Sequence, residues 1–348
     1  MNSRLLLASS LFSLTLFLSS CDGWLKKNWT SVDQINPATK KEVNVKSFGR
    51  DFTIIYLDSA NRDLKPAIDS LIQEMVKAAD TNSPSSEIST LNYRDTLASP
   101  SKELDFWIKK AQKWHEETGG AVEFTEKPLQ EIWSFSSSGP RLRDSTDVNF
   151  FLRLVGLQKV VSTDSLIRKP SGVLIDFEKI SNGIILDRIA TLLKEKGISN
   201  FLLKSSKTEL ANGTNEKGEL WKSSLTHLSD SLENMSEGLI ALENKAISTW
   251  GDEKELYLRD SLKIGYSLDP RTGYPVTHGL LKATVISSEA EISDALADYF
   301  RITGPSNAIR LDSLREDIHI ILLYHERGKK LNQYISPELR PFLSFPVK

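Results

Sequence analysis

The sequence predicts an α+β fold in which mixed sheets are flanked by helices and a ligand cleft lies between sub-regions. Apolar side chains recur at helical spacing between Leu64 and Ala79, and the β-branched run from Asp51 to Leu57 is typical of a strand. These two kinds of pattern alternate irregularly along the chain. The regular βαβ period of a parallel α/β protein is missing, which favours the α+β class.

The N-terminal 20 residues predict a signal peptide. Arg4 precedes an apolar run from Leu5 to Leu18, which is too short to span a membrane but fits the hydrophobic part of a secretory signal. The run ends at Leu18-Ser19-Ser20-Cys21, which resembles a bacterial lipobox, and Cys21 is the only cysteine. We therefore expect lipidation of Cys21, which would anchor the protein to the bacterial cell membrane on the periplasmic, extracytoplasmic side.

Beyond Cys21, a polar tether is expected over residues 21–46 and a single domain over residues 47–340. The 348-residue chain carries 44 basic and 46 acidic residues, so its charge gives no argument for nucleic acid as a partner. A mature chain with one lipidated cysteine forms no internal disulfide. Its hydrophobic core alone must then stabilise it.

The remaining elements are predicted from the same two periodicities and from turn residues. Helices are expected from Ser99-Pro100 to Gly119-Gly120, from Asp147 to Val155, from Gly183 to Lys196 and from Ser306 to Leu314; strands are expected to end at Asp176 and to cover residues 200–203, 238–242, 245–249 and 318–324. The strands on either side of Glu243-Asn244 are expected to pair as a hairpin. A lone helical histidine, His115, is expected to be a packed or surface residue rather than a ligand.

Two turns in the C-terminal third carry residues that suit a ligand site. Thr249-Trp250-Gly251-Asp252 follows an apolar run, and its glycine allows backbone N–H groups to face a ligand. In Leu268-Asp269-Pro270-Arg271-Thr272-Gly273, proline fixes φ and glycine is available for a positive φ. Both turns precede a segment with helical periodicity.

That helical segment contains Asp294 and Asp298, four residues apart and therefore on one face. Two carboxylates beside a turn that can bind an anion predict Mg²⁺ and a phosphate. A solvated helix face is the alternative explanation. If a metal ion relieves repulsion between the carboxylates, replacing either by Ala should leave the melting temperature without metal unchanged or slightly raised.

The order of these motifs resembles the ApbE-type family of FAD:protein FMN transferases. The strings that match lie at residues 48–50 (F-G-R), 86–92 (S-E-I-S-T-L-N), 121–129 (A-V-E-F-T-E-K-P-L), 176–187 (D-F-E-K-I-S-N-G-I-I-L-D), 249–252, 266–273 and 294–298 (D-A-L-A-D). Together they cover roughly residues 48–323. On its own, the serine-rich string is also consistent with a solvated turn that forms local Ser and Asn hydrogen bonds.

The resemblance implies FAD as substrate, Mg²⁺ as cofactor and a set of site residues. Cofactor-binding roles are implied for Phe48, Ala121, Val122, Glu123, Asp176, Asn182, Thr249 and Ser267; metal-binding roles for Asp294, Asp298 and the backbone carbonyl of Lys179; and catalytic roles for Asp294 and Tyr266. The partners implied are an acceptor flavoprotein, such as a subunit of a membrane redox complex, and the membrane itself.

Several positions depart from the family pattern. Family residues are replaced in this chain as follows: His by Tyr266, Lys by Asn182, Asp by Glu123, Ser by Trp250, Thr by Asp298, and Gly-Gly-Asp by Ser206-Lys207-Thr208. A tyrosine, with an ordinary pKa of about 10, is a poor general base at neutral pH. Side chains at Ser206 and Lys207 keep the main chain further from a ligand than glycines would.

Three functions are consistent with these residues. The first is transfer of FMN from FAD to a Thr or Ser hydroxyl of an acceptor protein, with AMP as the leaving group. The second is Mg²⁺-dependent hydrolysis of FAD at its pyrophosphate. The third is a flavin-binding lipoprotein that has lost catalysis. Release of AMP from FAD, with and without an acceptor, distinguishes the three.

Overall fold

The structure, a computed structural model, describes residues 38–136, 139–143, 147–225, 238–251, 256–259, 262–326 and 331–344. The predicted signal peptide, Cys21 and Asp252 lie outside these ranges. The helices are α1 Lys65–Ala79, α2 Glu87–Arg94, α3 Lys102–Glu117, α4 Lys127–Ile132, α5 Val148–Leu152, α6 Glu178–Glu195, α7 Ala290–Thr303 and α8 Pro305–Asp312.

The strands are β1 Thr39–Ser47, β2 Arg50–Asp58, β3 Thr96–Ala98, β4 Trp133–Ser136, β5 Gly139–Leu142, β6 Val161–Thr163, β7 Leu166–Arg168, β8 Phe201–Lys204, β9 Thr208–Asn212, β10 Trp221–Leu225, β11 Gly238–Leu242, β12 Ala246–Trp250, β13 Leu256–Arg259, β14 Leu262–Gly265, β15 Leu268–Asp269, β16 Tyr274–Pro275, β17 Leu280–Ser287, β18 His319–His325, β19 Leu331–Ile335 and β20 Leu343–Ser344. Two short 3₁₀ helices lie at Leu157–Lys159 and Pro337–Phe342 in the described residues.

An eight-stranded sheet with the order β1-β2-β8-β9-β12-β17-β18-β19 forms the centre of the fold. Its neighbouring strands are antiparallel throughout. The α+β class is thus confirmed, although the described sheets hold antiparallel pairs where mixed sheets were predicted. Short connections such as those of β1 to β2 and β8 to β9 permit only antiparallel pairing.

Side chains alternate between two hydrophobic cores on the two faces of this sheet. Ile54, Leu203 and Val285 face the larger core, which the helices complete. Leu202 and Ile247 face a smaller core completed by the three-stranded sheet β10-β11-β20. The large sheet is therefore buried on both faces, and α6 and α7 lie side by side against the larger core.

The structure corrects three sequence-based boundaries. Strand β1 begins at Thr39, inside the predicted tether, because the burial of Val43 and Ser47 alternates with exposed lysines. The strands on either side of Glu243-Asn244 do not pair, since β11 joins the small sheet and β12 the large one. Helix α6 begins five residues before Gly183, and Asp176 precedes it in a loop rather than ending a strand.

Helices α6 and α7 approach closely at Gly183. A Cβ built at this residue would lie 2.5 Å from both the carbonyl oxygen of Ala290 and Cα of Glu291. Only glycine therefore allows this contact. It also leaves the Gly183 N–H free to donate to Asp294 Oδ2 at 3.2 Å, across to α7.

Replacing Gly183 with Ala should reduce the free energy of unfolding by about 1–3 kcal/mol, the usual cost of forcing an extra methyl into a packed interior. Urea-induced unfolding measures this loss. Thr191→Ala, at an exposed position of the same helix, is the control and should stay within about 0.5 kcal/mol of the wild type. Equal stabilities for the two variants would contradict the close approach.

Asp187 makes a second junction between these helices. Its carboxylate accepts the backbone N–H groups of Ala290 and Glu291 at 2.9 and 2.8 Å, and so caps α7 from α6. The acidic side chains of Glu289 and Glu291 lie next to it. Glu291 is itself held by Lys110 and Trp114, at 2.6 and 2.8 Å. This acidic group therefore serves to join helices.

Stability should depend on pH through Asp187. The pKa of its carboxyl is raised to about 7, mainly by burial. The two N–H donors lower this pKa, and the carboxylates of Glu289 and Glu291 contribute to raising it. Because this pKa exceeds the unfolded value of about 3.9, the stabilisation is complete below about pH 4 and is lost as the pH rises through 7.

Asp187→Asn removes this titration. The free energy of unfolding of the wild type relative to the variant should fall by about 2 kcal/mol between pH 4 and pH 8. This is half of the free energy that the whole pKa difference corresponds to, because Asp187 keeps some contact with water. Urea unfolding of both proteins across this pH range measures the change. A difference that does not vary with pH would show that Asp187 is ionised throughout.

Within the described part of the chain, no helix combines the length and the apolar character that crossing a membrane requires.

Candidate active site

A cleft of about 1040 Å³ lies where α6, α7, the β8–β9 turn and the segment from Glu123 to Gln130 meet. Its lining includes six cationic and six anionic side chains: Arg50, Lys127, Lys179, Lys207, Lys282 and Arg301, with Glu123, Glu126, Asp176, Glu178, Glu209 and Asp298. Hydroxyl and aromatic groups complete it, among them Thr249, Ser267 and Tyr266. A polar cleft of this size suits a charged ligand with an aromatic part.

Asp294 is fully buried and contacts Lys207, which lines the cleft. Its Oδ1 accepts from Ser248 at 3.2 Å and Thr208 at 3.4 Å, and lies 2.9 Å from Lys207 Nζ. Its Oδ2 accepts the Gly183 N–H. Four elements therefore meet at one carboxylate, which is hydrogen-bonded on both oxygens.

Asp298, one helical turn further on, is only 6% exposed and lines the cleft. Its Oδ1 accepts from Arg301 Nε at 2.8 Å, and its Oδ2 lies 3.2 Å from Lys179 Nζ. Burial alone would raise the pKa of Asp298, but the charges of Arg301, Lys179 and Lys207 hold it at about 2. The carboxylate is thus ionised at any physiological pH.

Lys179 also pairs with Glu126, at 2.7 Å, and Glu126 lies 3.9 Å from Arg301. We call Glu126, Lys179, Lys207, Asp294, Asp298 and Arg301 the charge cluster. It balances three carboxylates against three cationic groups, all of them mostly withdrawn from water.

The charge cluster changes the interpretation of the aspartate pair. The two carboxylates do share one face of a helix, but that face is buried, so the solvated-face explanation is wrong. Their repulsion is already relieved by lysine and arginine. The structure leads us to expect that removing either carboxylate lowers the stability, since a buried cation would lose its partner.

Three members of the charge cluster were missed as site residues in the sequence. Arg301 follows Asp298 by three residues, a spacing that predicts a contact on a helix. Glu126 and Lys207 reach the site from other parts of the chain, and no local spacing indicates this. In the sequence, Lys207 stands out only as the replacement of a family glycine.

Glu123, predicted to bind the cofactor, is buried, and its side chain holds its own loop through hydrogen bonds. Its Oε1 accepts from the backbone N–H and hydroxyl of Thr125, and its Oε2 lies 2.9 Å from His115 Nδ1. Burial alone would raise the pKa of Glu123, but hydrogen bonds from His115 and Thr125 lower it. His115 is packed, as predicted, and it fixes the edge of the cleft through Glu123.

Asp176 lines the cleft from the loop just before α6. Its Oδ1 accepts the Glu178 N–H at 2.8 Å and its Oδ2 accepts from Thr81 at 3.2 Å. The preceding residue, Ile175, is held by both its N–H and its C=O to the side-chain amide of Asn92, at 2.8 Å each. The serine-rich string therefore forms a capped helix whose Asn92 positions Asp176.

Thr249 and Ser267 line the cleft with hydroxyl groups. Thr249 shares a 2.9 Å hydrogen bond with Thr284. Ser267 is 2% exposed, and its Oγ has no hydrogen-bond partner among the described residues. A buried hydroxyl without a partner favours a polar ligand group at that point.

Tyr266 also lines the cleft, but its geometry does not suit a base. Its hydroxyl donates to the Ser136 carbonyl at 2.7 Å, and its ring packs on Phe135 with 5.0 Å between centroids. Burial raises its pKa above the ordinary value. Proton abstraction by this hydroxyl at neutral pH is therefore disfavoured.

The other predicted flavin contacts lie behind the cleft wall. Phe48 is stacked on Trp107, and the fully buried Ala121 and Val122 donate their N–H groups to the C-terminus of α3 at Thr118. The amide of Asn182 is fully buried without a hydrogen-bond partner among the described residues. For these residues, contact with a flavin stays a prediction.

The donor chemistry of the charge cluster fits Mg²⁺. A carboxylate oxygen of Asp294 lies beside the hydroxyls of Thr208 and Ser248, and Asp298 adds a second carboxylate one helical turn further on. Such hard oxygen ligands are those that Mg²⁺ prefers. The ammonium group of Lys207 lies against the Asp294 carboxylate, at a position that a bound metal ion would share with it or occupy in its stead.

Comparison with known proteins agrees with this architecture. The model of the ApbE family matches residues 43–322. A Klebsiella pneumoniae FAD:protein FMN transferase is 26% identical over 233 residues, covering 65% of this chain and 66% of that protein, a little under two thirds. The Vibrio cholerae protein of the same name is 23% identical over 321 residues, covering 88% of this chain and 94% of its own length.

Solved structures show the same fold. The apo form of the Pseudomonas stutzeri flavinyl transferase ApbE superposes with a TM-score of 0.74 at 20% identity, covering 88% of this chain and 97% of that one. The Vibrio cholerae flavin transferase ApbE gives the same TM-score at 23% identity, covering 88% and 100%. On the evidence of its sequence motifs, its fold and the family match, the chain belongs to the ApbE family.

Proposed function

We propose that this protein is a FAD:protein FMN transferase that moves FMN from FAD to a Thr or Ser hydroxyl of an acceptor protein, with Mg²⁺ as cofactor. The observation that carries the proposal is the charge cluster at the cleft. It offers carboxylate oxygens to a divalent cation, and Lys179, Lys207 and Arg301 to a pyrophosphate. Relatives named for this activity support the same function.

The reaction exchanges one phosphate linkage for another. The acceptor oxygen bonds to the FMN phosphorus, the anhydride bond to the AMP phosphate breaks, and AMP departs with that bridging oxygen. When bound, Mg²⁺ would neutralise the charge that develops on the phosphate oxygens. Lys179 and Arg301, fixed by Asp298 and Glu126, add positive charge without reorganisation.

Removal of the proton from the acceptor hydroxyl does not require Tyr266 as a general base. Positioning and electrostatic stabilisation provide most of the catalysis in such transfers, and the proton of the acceptor hydroxyl passes to water or to the departing AMP phosphate. Tyr266 then acts by packing on Phe135 at the cleft wall. Thr249, Ser267 and Asp176 supply polar groups to the ligand.

The test is to mix purified protein, FAD and Mg²⁺ with a candidate acceptor and to measure AMP and protein-bound FMN. AMP that appears only with acceptor, together with covalent FMN, supports the transferase. AMP without acceptor would instead identify the FAD hydrolase. FAD binding without AMP, under all conditions, would identify a flavin-binding protein that has lost catalysis.

We further propose that a lipid on Cys21 holds this domain at the extracytoplasmic face of the bacterial membrane, near a membrane-bound acceptor. The proposal depends on the short apolar segment that ends at Cys21. Cys21→Ala should move the protein from the membrane fraction to the soluble fraction or leave an uncleaved precursor. A wild-type protein that is already soluble would overturn it.

A further inference from the structure

Lys207 reaches the site from a tight turn between β8 and β9. Ser205 closes this turn, since its N–H and Oγ both donate to the Thr208 carbonyl, at 2.8 and 3.1 Å. The Lys207 carbonyl accepts the Thr249 N–H at 2.9 Å, which ties the turn to β12. The backbone of Lys207 is therefore fixed on both sides, and only its side chain is free to move.

The Lys207 ammonium meets the Asp294 carboxylate from the cleft side. Its Nζ lies 2.9 Å from Oδ1, where the hydroxyls of Ser248 and Thr208 also donate. The lysine side chain is 29% exposed, whereas Asp294 is fully buried. Thus the Lys207 ammonium group can move away into the cleft, whereas the buried Asp294 carboxylate stays in place.

We propose that Lys207 is an internal competitor for the divalent cation, so that a metal ion binds at Asp294 only when the lysine ammonium leaves that carboxylate. The inference rests on the proposed function in one respect, since it concerns the metal site of the same cleft. Lys207 thereby selects between two states of the charge cluster. In the metal-free state its ammonium contacts Asp294, and in the metal-bound state the ammonium has left that carboxylate.

Charge and hydrogen bonding support this competition. With Lys179, Lys207 and Arg301 in place, the charge cluster has no net negative charge to attract a cation. Withdrawal of Lys207 leaves one negative charge in excess. It also frees Asp294 Oδ1 from a charge-assisted hydrogen bond, while the Gly183 N–H still orients the carboxylate.

The test compares Mg²⁺ and Mn²⁺ binding by the full chain in detergent, without FAD, using isothermal titration calorimetry. Lys207→Met should bind the cation roughly tenfold to a hundredfold more tightly than the wild type, the range that corresponds to one charge-assisted hydrogen bond. Lys207→Arg keeps the charge and should not tighten binding. Lys204→Met is the matched control, because Lys204 pairs with Glu209 at 3.3 Å on the same hairpin.

Melting temperature gives a second readout. Lys207→Met should melt below the wild type without metal and gain more from saturating Mg²⁺, since a cation then replaces the lost ammonium. If Lys207→Met does not fold, Lys207→Gln carries the same prediction, because it retains a donor without the charge.

The inference is overturned if Lys207→Met and the wild type bind the cations equally, if neither binds them, or if Lys204→Met tightens binding as much. These outcomes are separate from the fate of the proposed function. Wild-type AMP release in the presence of an acceptor tests the transferase whether or not Lys207 competes with the metal.

Discussion

Asp298→Ala should destabilise the protein by about 3–5 kcal/mol, the cost of leaving buried charges without their partner. In the wild type, Asp298 holds both Lys179 and Arg301 in a largely buried site. Urea unfolding measures the loss. Asp69→Ala removes a carboxylate from a more exposed pair with Lys65, and should cost less than about 1 kcal/mol.

A second variant shows whether the loss comes from the unpaired cations. Asp298→Ala combined with Lys179→Met removes a charge of each sign, so it should be more stable than Asp298→Ala alone. A double variant that is less stable than the single one would assign the effect to packing. If Asp298→Ala is as stable as the wild type, the charge cluster does not stabilise the fold.

Asp294→Asn should reduce AMP release from FAD at least about a hundredfold, the scale on which loss of one preorganised electrostatic group acts in other enzymes. Asparagine has nearly the same shape as aspartate and can still accept the Gly183 N–H. It lacks the charge that both a divalent cation and Lys207 require. The reduction should therefore appear at saturating FAD, in the rate of AMP release.

Glu291→Gln is the matched control for Asp294→Asn. Glu291 is also a buried carboxylate of α7, but its partners are Lys110 and Trp114, away from the cleft. Its replacement should leave AMP release within a few-fold of the wild type while lowering the melting temperature. Equal loss of activity in both variants would mean that α7 as a whole, and not the Asp294 charge, determines the rate.

Local pattern predicted much of the scaffold. The periodicity of α1 and α3 is sufficient to place both helices, and the predicted turn at Asp269–Gly273 is present, closed by a 2.8 Å hydrogen bond from the Gly273 N–H to the Asp269 carbonyl. The i, i+4 spacing also placed Asp294 and Asp298 together. Each of these predictions depends on neighbours in sequence, for which geometry is fixed by the helix or turn itself.

The rest of the site depends on contacts that no local pattern contains. The partners of Asp294 come from β9, β12, α6 and the β8–β9 turn. The predicted start of α6 is wrong because the N-cap position is Phe177, which offers no capping side chain, and Asp176 accepts the Glu178 N–H from a loop two residues before the helix. Asn92 orients that loop from 83 residues away, which only the folded chain reveals.

The balance within the charge cluster restricts how the protein can evolve. Three carboxylates and three cations share one buried site, so a substitution that removes one of them leaves an excess charge behind. Lineages that lose the lysine at position 207 should therefore also lose an acid at position 126, 294 or 298, or depend more strongly on a metal ion. We expect these positions to vary together among relatives, as linked pairs rather than as independent sites.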